Sequence, residues 1–205
     1  MELAELHRRV VDAWLARVEA VPADAWGRST PCEDWDVRFL VNHVVGEELW
    51  TRPITEGRTV DEVGDQFDGD VLGQDPASAA RSAAREAVDA VDEMLPHEGI
   101  VHLSFGDFPI AEYVWQLSAD HLIHGWDLAA ATGQDRTLEP ELVEGVAAWF
   151  ADREDLYRSA GAVGPRRESG PDPAAQLLAG FGRDPGWEGG VRPTRTLGAS
   201  LPTIP

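Results

Sequence analysis

The chain has 205 residues and a formal charge of −20, from 37 acidic against 17 basic side chains. That length suits one globular domain, and a hydrophobic content of 43% supplies a sizeable core, which excludes disorder throughout. The acidic balance argues against nucleic acid or an anionic membrane surface as the main partner, since both call for clustered positive charge.

Every basic residue is arginine and Asn42 is the only asparagine, a bias expected of a high-GC genome. Cys32 stands alone, so no intrachain disulfide can form, which fits a reducing compartment. The N-terminal MELAELHRRVVDAW has acids and arginines where a signal peptide would have its apolar region. No stretch approaches the roughly 18 apolar residues of a membrane span. A cytoplasmic location is the expectation.

In chain order, Leu3, Leu6, Val10, Trp14 and Val18 recur at helical spacing and predict an amphipathic helix over 2–20. RSTPCEDWD, 28–36, reads as a loop, with Asp36 as N-cap of a helix over about 37–50. Residues 51–74 show no sustained period and read as a long loop holding at most a short helix. Asp75-Pro76 opens a helix to about Leu95, with proline at its first position. GIVHLSFGDFPI predicts a short hairpin turning at Gly106-Asp107. A long helix over about 109–132 ends at Gly133, and another runs over about 139–160. A short helix over 173–181 precedes a Gly- and Pro-rich tail. The expected organisation is a helical bundle over 1–185 and a poorly ordered tail over 186–205. The fold class is mostly α: a four-helix bundle with a small hairpin and a short C-terminal helix.

Phosphate-binding glycine loops, the G-x-S-x-G elbow, HExxH and paired Cys-x-x-Cys are all missing. What remains is six histidines, of which His43, His121 and His124 sit inside long helices in apolar company. On its helix His43 falls roughly 130° from the stripe of Val37, Leu40, Val41, Val44, Val45 and Glu48. It shares its side with Phe39, Gly46, Glu47 and Trp50. It reads either as a core-edge histidine bonded to a carbonyl or as a ligand. His121 lies on the core stripe of the long helix, while Asp120 and His124 are neighbours one turn apart on its flank. A buried aspartate needs a partner or a metal. Asp120 and His124 therefore form either a simple hydrogen bond or, with a histidine from a facing helix, three ligands to a divalent ion. Cys32, ahead of a helix, is a low-pKa candidate but more simply an inert small residue under the loop. Asp127 could orient a ligand histidine or make a polar helix contact.

STPCEDWDVRFLVNHVVGEELW and DHLIHGWDLAAATGQD together resemble the N-terminal domain of actinobacterial mycothiol-dependent maleylpyruvate isomerases, within the DinB-like superfamily of metal-binding bundles. The resemblance runs from about residue 5 to 185 and takes in LSFGDFPIAEY and LLAGFGRDP. It implies metal ligands at His43, Asp120 and His124, with aspartate where the isomerase has glutamate. His121 is an extra imidazole that could replace Asp120. The implied metal is zinc, with nickel compatible with the same donors; two imidazoles and one carboxylate leave a position open, the catalytic pattern. The implied cosubstrate is mycothiol, a small-molecule thiol, acting on an unknown electrophilic substrate. The isomerase carries a second, C-terminal domain, whereas the resemblance here stops near residue 185. That favours a thiol transferase or hydrolase over maleylpyruvate isomerisation itself. The reading from another class is a metal- or small-ligand-binding module without turnover.

Overall fold

The computed structural model describes residues 1–189. The expected tail over 186–205 lies outside the described residues from position 190 onward. The described chain runs α1 (Leu3–Glu19), α2 (Val37–Thr55), α3 (Val60–Val63), α4 (Pro76–Met94), β1 (Ile100–Leu103), β2 (Gly106–Pro109), α5 (Ile110–Thr132), α6 (Pro140–Ala151), α7 (Glu154–Ser159) and α8 (Pro173–Gly180). Helices α1, α2, α4 and α5 close a four-helix bundle in which α1 packs on α5 and α4, and α2 packs on α4 and α5. No helix among the described residues is long and apolar enough to cross a membrane.

The apolar stripes become the core as their spacing predicts. Leu6, Val10, Trp14 and Val18 of α1 are buried, and so are Val37, Leu40, Val41, Val44 and Val45 of α2. The caps also form: the Asp36 carboxylate accepts from the Phe39 amide at 2.7 Å, and Asp75 accepts from the Ser78 amide at 3.0 Å. Gly133, at φ 74°, ends α5 in the left-handed conformation that glycine adopts freely.

Three boundaries differ from the sequence reading. Helix α2 continues past residue 50 and carries Pro53 inside it. Thr51 and Thr55 there bond back to the carbonyls of Glu47 and Thr51, and Ile54 is buried, so tertiary packing outweighs the breaker. The hairpin turns at Ser104-Phe105, two residues earlier than expected, because Leu103 pairs with Gly106 in the register of β1 and β2. The helix expected over 139–160 is broken between α6 and α7. At the break the Arg153 guanidinium turns to Glu112 of α5, with Nε 2.7 Å from Oε1 and Nη2 2.8 Å from Oε2. The two-point charged contact ties the chain to α5 at the break.

Candidate metal centre

The site forms where α2 faces α5, and the loop ahead of α2 closes one side of it. Asp120 and His124 lie one turn apart on α5, and His43 projects from α2 towards both. His43 Nε2 lies 3.6 Å from Asp120 Oδ2, and His124 Nε2 lies 3.3 Å from Asp120 Oδ1. One ligand-capable atom from each of the three residues falls within 4.8 Å of the others. The two imidazoles are buried and meet edge to face, with ring centroids 5.2 Å apart. Asp120 keeps 29% of its side chain exposed, so the cluster is not sealed on that side.

Electrostatics make this a place for positive charge. Burial alone would raise the Asp120 carboxyl, but His124 outweighs it and holds the group well below the ordinary carboxylate range. Burial alone would lower His124, but Asp120 above all holds it well above the ordinary imidazole range. His43 remains lowered, because burial exceeds the help it receives from Asp120.

A divalent cation fits this donor set on two observations. Asp120 Oδ2 is a buried atom without a hydrogen-bond partner, directed towards the imidazole of His43. The other nitrogen of His124 is already committed: Nδ1 donates to Asp127 Oδ2 at 2.9 Å. That bond fixes the tautomer and turns Nε2 towards Asp120, as a ligand histidine requires.

Behind His124 stands a layer that the sequence reading grasped only in part. Asp127 is fully buried, and its Oδ2 accepts from Arg183 Nη2 at 2.9 Å while Nε approaches both carboxylate oxygens at 3.1 Å. Burial would raise Asp127; Arg183 first and then His124 reverse this and bring it down to about 2. Cys32 Sγ sits 3.2 Å from Asp127 Oδ2, 3.2 Å from Arg183 Nη2 and 3.7 Å from His124 Nδ1. Cys32 thus lies partly buried, with its thiol against the site. The loop brings it there by folding back on itself, with the Cys32 amide donating to Thr30 Oγ1 and the Thr30 amide to the Trp35 carbonyl. Trp35 from the same loop stacks on His124 at 5.7 Å and tilts against His43 at 4.9 Å, walling both imidazoles from water.

Arg183 lies in the LLAGFGRDP stretch that ends α8. Its signal is local: Asp172 caps α8, and Gly182 follows at φ 78°, where a Cβ would meet the Gly164 backbone at 3.1 Å. The close approach needs glycine and delivers the next side chain inward.

His121 is not brought to the cluster. Its Nδ1 donates to the Leu117 carbonyl at 2.7 Å, and its Nε2 shares a proton with Glu48 Oε1 at 3.1 Å. It faces α1, where His7 and Trp14 pack edge-on to its ring at 6.0 and 6.4 Å.

Fold and site together define a DinB-like helical bundle with a histidine- and carboxylate-lined cluster between two facing helices. The chain belongs to the mycothiol maleylpyruvate isomerase N-terminal domain family, whose model matches residues 7–129. It is 36% identical over 185 residues to the uncharacterized proteins MT0763 and Rv0738 of two Mycobacterium tuberculosis strains, covering 86% of this chain and 95% of each relative. Among solved structures it is similar to the mycothiol-dependent maleylpyruvate isomerase and to a histidine-to-alanine mutant of it. The TM-score is 0.60 at 16% identity, over 81% of this chain and 75% of that one. At that identity the structural likeness speaks for the fold.

Proposed function

We propose that this protein is a divalent-metal-dependent thiol S-transferase that joins mycothiol to an electrophilic small molecule. The metal ligands are His43, Asp120 and His124, within a metal-binding unit spanning 1–185. The observation that carries the reading is the convergence of two imidazole nitrogens and one carboxylate from facing helices within 4.8 Å. Family membership supports the choice of thiol, since the family's descriptive name and its solved isomerase both specify mycothiol.

The donor set suits zinc and also accepts nickel. A divalent ion held there supplies Lewis acidity, which keeps a coordinating thiol in its nucleophilic, deprotonated form near neutral pH. The remaining work falls to the chain. Arg183 clamps Asp127, and Asp127 holds the proton of His124 on Nδ1. Trp35 covers the imidazoles and excludes water from one side. The partly exposed Asp120 edge leaves a route by which a thiol and an electrophile enter.

Metal analysis of the purified chain followed by a mycothiol-conjugation assay with an electron-poor alkene tests the proposal. The expected result is about one zinc or nickel ion per chain, and thioether formation that a chelator abolishes. Stoichiometric metal without any conjugation would reduce the protein to a binding module, and protein that takes up no metal would overturn the transferase reading and leave a small-ligand-binding module.

A further inference from the structure

We propose that the space over Gly46, beside the metal cluster, is the binding slot for the electrophile, and that it takes a neutral, planar, largely apolar molecule. That this molecule is the partner of a thiol rests on the thiol-transfer reading above.

Gly46 sits in the middle of α2 and is buried. A glycine inside a helix weakens it relative to alanine, because glycine loses more backbone freedom on folding and packs no side chain. Its backbone is helical, so no left-handed φ calls for glycine here. Close approach does not call for it either: a Cβ at Gly46 would meet nothing within 4 Å. The other buried helix glycines among the described residues differ. A Cβ at Gly125 would lie 3.3 Å from Arg17 Nη1, and one at Gly180 would lie 3.1 Å from Arg166 Nη2. What glycine leaves at position 46 is open space inside the fold.

Rings frame that space. Phe39, His43 and Trp50 project from α2 within about 60° of the direction of Gly46. His43 lies three residues before Gly46 and Trp50 four after it, the spacings at which positions on a helix are neighbours. Trp35 packs on Phe39 at 4.8 Å and on His43 at 4.9 Å, and Phe67 meets Trp50 edge to face at 5.9 Å. Asn42, four residues before Gly46 and fully buried, ties down the loop that carries Phe67. Its Nδ2 donates to the Gly69 carbonyl at 2.9 Å, and its Oδ1 accepts from the Val71 amide at 2.9 Å. The slot is a gap in a row of rings, with a ligand histidine of the cluster on one side and an indole on the other.

This lining selects the ligand. Rings on both sides favour a flat apolar molecule, held by stacked and edge-on contacts. An anionic ligand is not provided for. Asp120 brings one negative charge and a coordinated thiolate a second, which together balance a divalent ion. Arg183 reaches the cluster from behind, but its guanidinium is already held by Asp127, Cys32 and the Phe181 carbonyl. A molecule over Gly46 lies one helical turn from His43 and on the same side of α2, which sets it beside the cluster.

Equilibrium dialysis of the zinc-loaded full chain against nitrobenzene tests the slot without a thiol or turnover, and 4-nitrobenzoate adds only a carboxylate to the same ring. Wild type is expected to bind nitrobenzene saturably, and 4-nitrobenzoate about 10-fold more weakly or worse. Gly46→Leu fills the slot and should weaken nitrobenzene binding by about 10-fold or more, with zinc content and helicity unchanged. Gly46→Ala puts one methyl group into open space, so its urea midpoint should rise above wild type while nitrobenzene binds more weakly. This smaller change keeps the test decisive if Gly46→Leu does not fold. Equal nitrobenzene affinity in wild type and a folded variant would overturn the slot, and so would the absence of saturable binding to wild type. A urea midpoint for Gly46→Ala below wild type would overturn it as well, because the space would not be open. Binding of 4-nitrobenzoate as tight as that of nitrobenzene would overturn the neutral class of ligand. Wild type that binds nitrobenzene in a Gly46-dependent way but never conjugates mycothiol would overturn the thiol-transfer reading and leave the slot standing.

Discussion

Asp127 accepts a hydrogen bond from Nδ1 of His124 at 2.9 Å while the same oxygen receives Arg183 Nη2 at 2.9 Å. The orientation of His124 is thus set from behind by a buried ion pair, and Nε2 is left to face Asp120. Asp127→Asn keeps the shape but removes the charge that balances Arg183. Zinc affinity should drop by about 10- to 100-fold, read by competition with a chromophoric chelator. Unchanged affinity would make the Asp127–Arg183 pair purely structural.

Arg183→Met strands the fully buried Asp127 carboxylate. Losing one partner of a buried pair costs about 3–5 kcal/mol. The variant should unfold at markedly lower urea concentration, and the loss should shrink in the double variant Arg183→Met/Asp127→Asn. Additive losses would show that the two residues do not act as a pair.

His43 and His121 should separate cleanly. His43→Ala is expected to abolish stoichiometric metal binding with little loss of helicity. His121→Ala should keep the metal but destabilise the fold by about 3 kcal/mol, because the buried Glu48 loses its partner. Equal loss of metal in the two variants would mean that His121, not position alone, decides ligation.

Asp120→Ala removes the only anionic donor of the cluster, and affinity should fall at least as far as in Asp127→Asn. Asp120→Glu should retain metal, since the added methylene keeps a carboxylate on the same face of α5. Apo protein should stay folded in both, because the apolar side chains of α1, α2, α4 and α5 supply a core of their own. Circular dichroism alongside metal titration checks this; unfolding on chelation would contradict it.

His7 is buried with neither ring nitrogen bonded, and burial, followed by His121 and Arg8, lowers it from 6.5 to about 3. Between those values the unfolded chain binds a proton that the folded chain refuses. Stability is therefore full above pH 6.5 and falls as pH drops towards 3, by about 1.4 kcal/mol per unit from this residue. Asp127, brought down to about 2, adds its own loss only below pH 4. His7→Gln should flatten the pH 4–6 limb of the stability profile; an unchanged slope would place the titration elsewhere.

Periodicity was enough for the bundle. The stripes of α1 and α2, the Asp36 and Asp75 caps and the Gly133 stop are local properties, carried by residues within one or two turns of each other. The same locality made Asp120 and His124 neighbours before any fold was known, and put His43 and Glu47 on one face of α2. Where sequence reading failed, a distant partner intervened. Helix α6 stops where Arg153 reaches Glu112 on another helix, and α2 runs on through Pro53 to an end whose Ile54 is buried. Cys32 and Arg183 are separated by 151 residues and meet at Asp127 only once the loop and α8 have docked. Which side His121 would face was equally beyond reach, since its choice of Glu48 over Asp120 depends on how α1, α2 and α5 close around it. Helical spacing determines which side chains share a face; only the packing of helices decides which faces meet, because that depends on contacts between residues far apart in the chain.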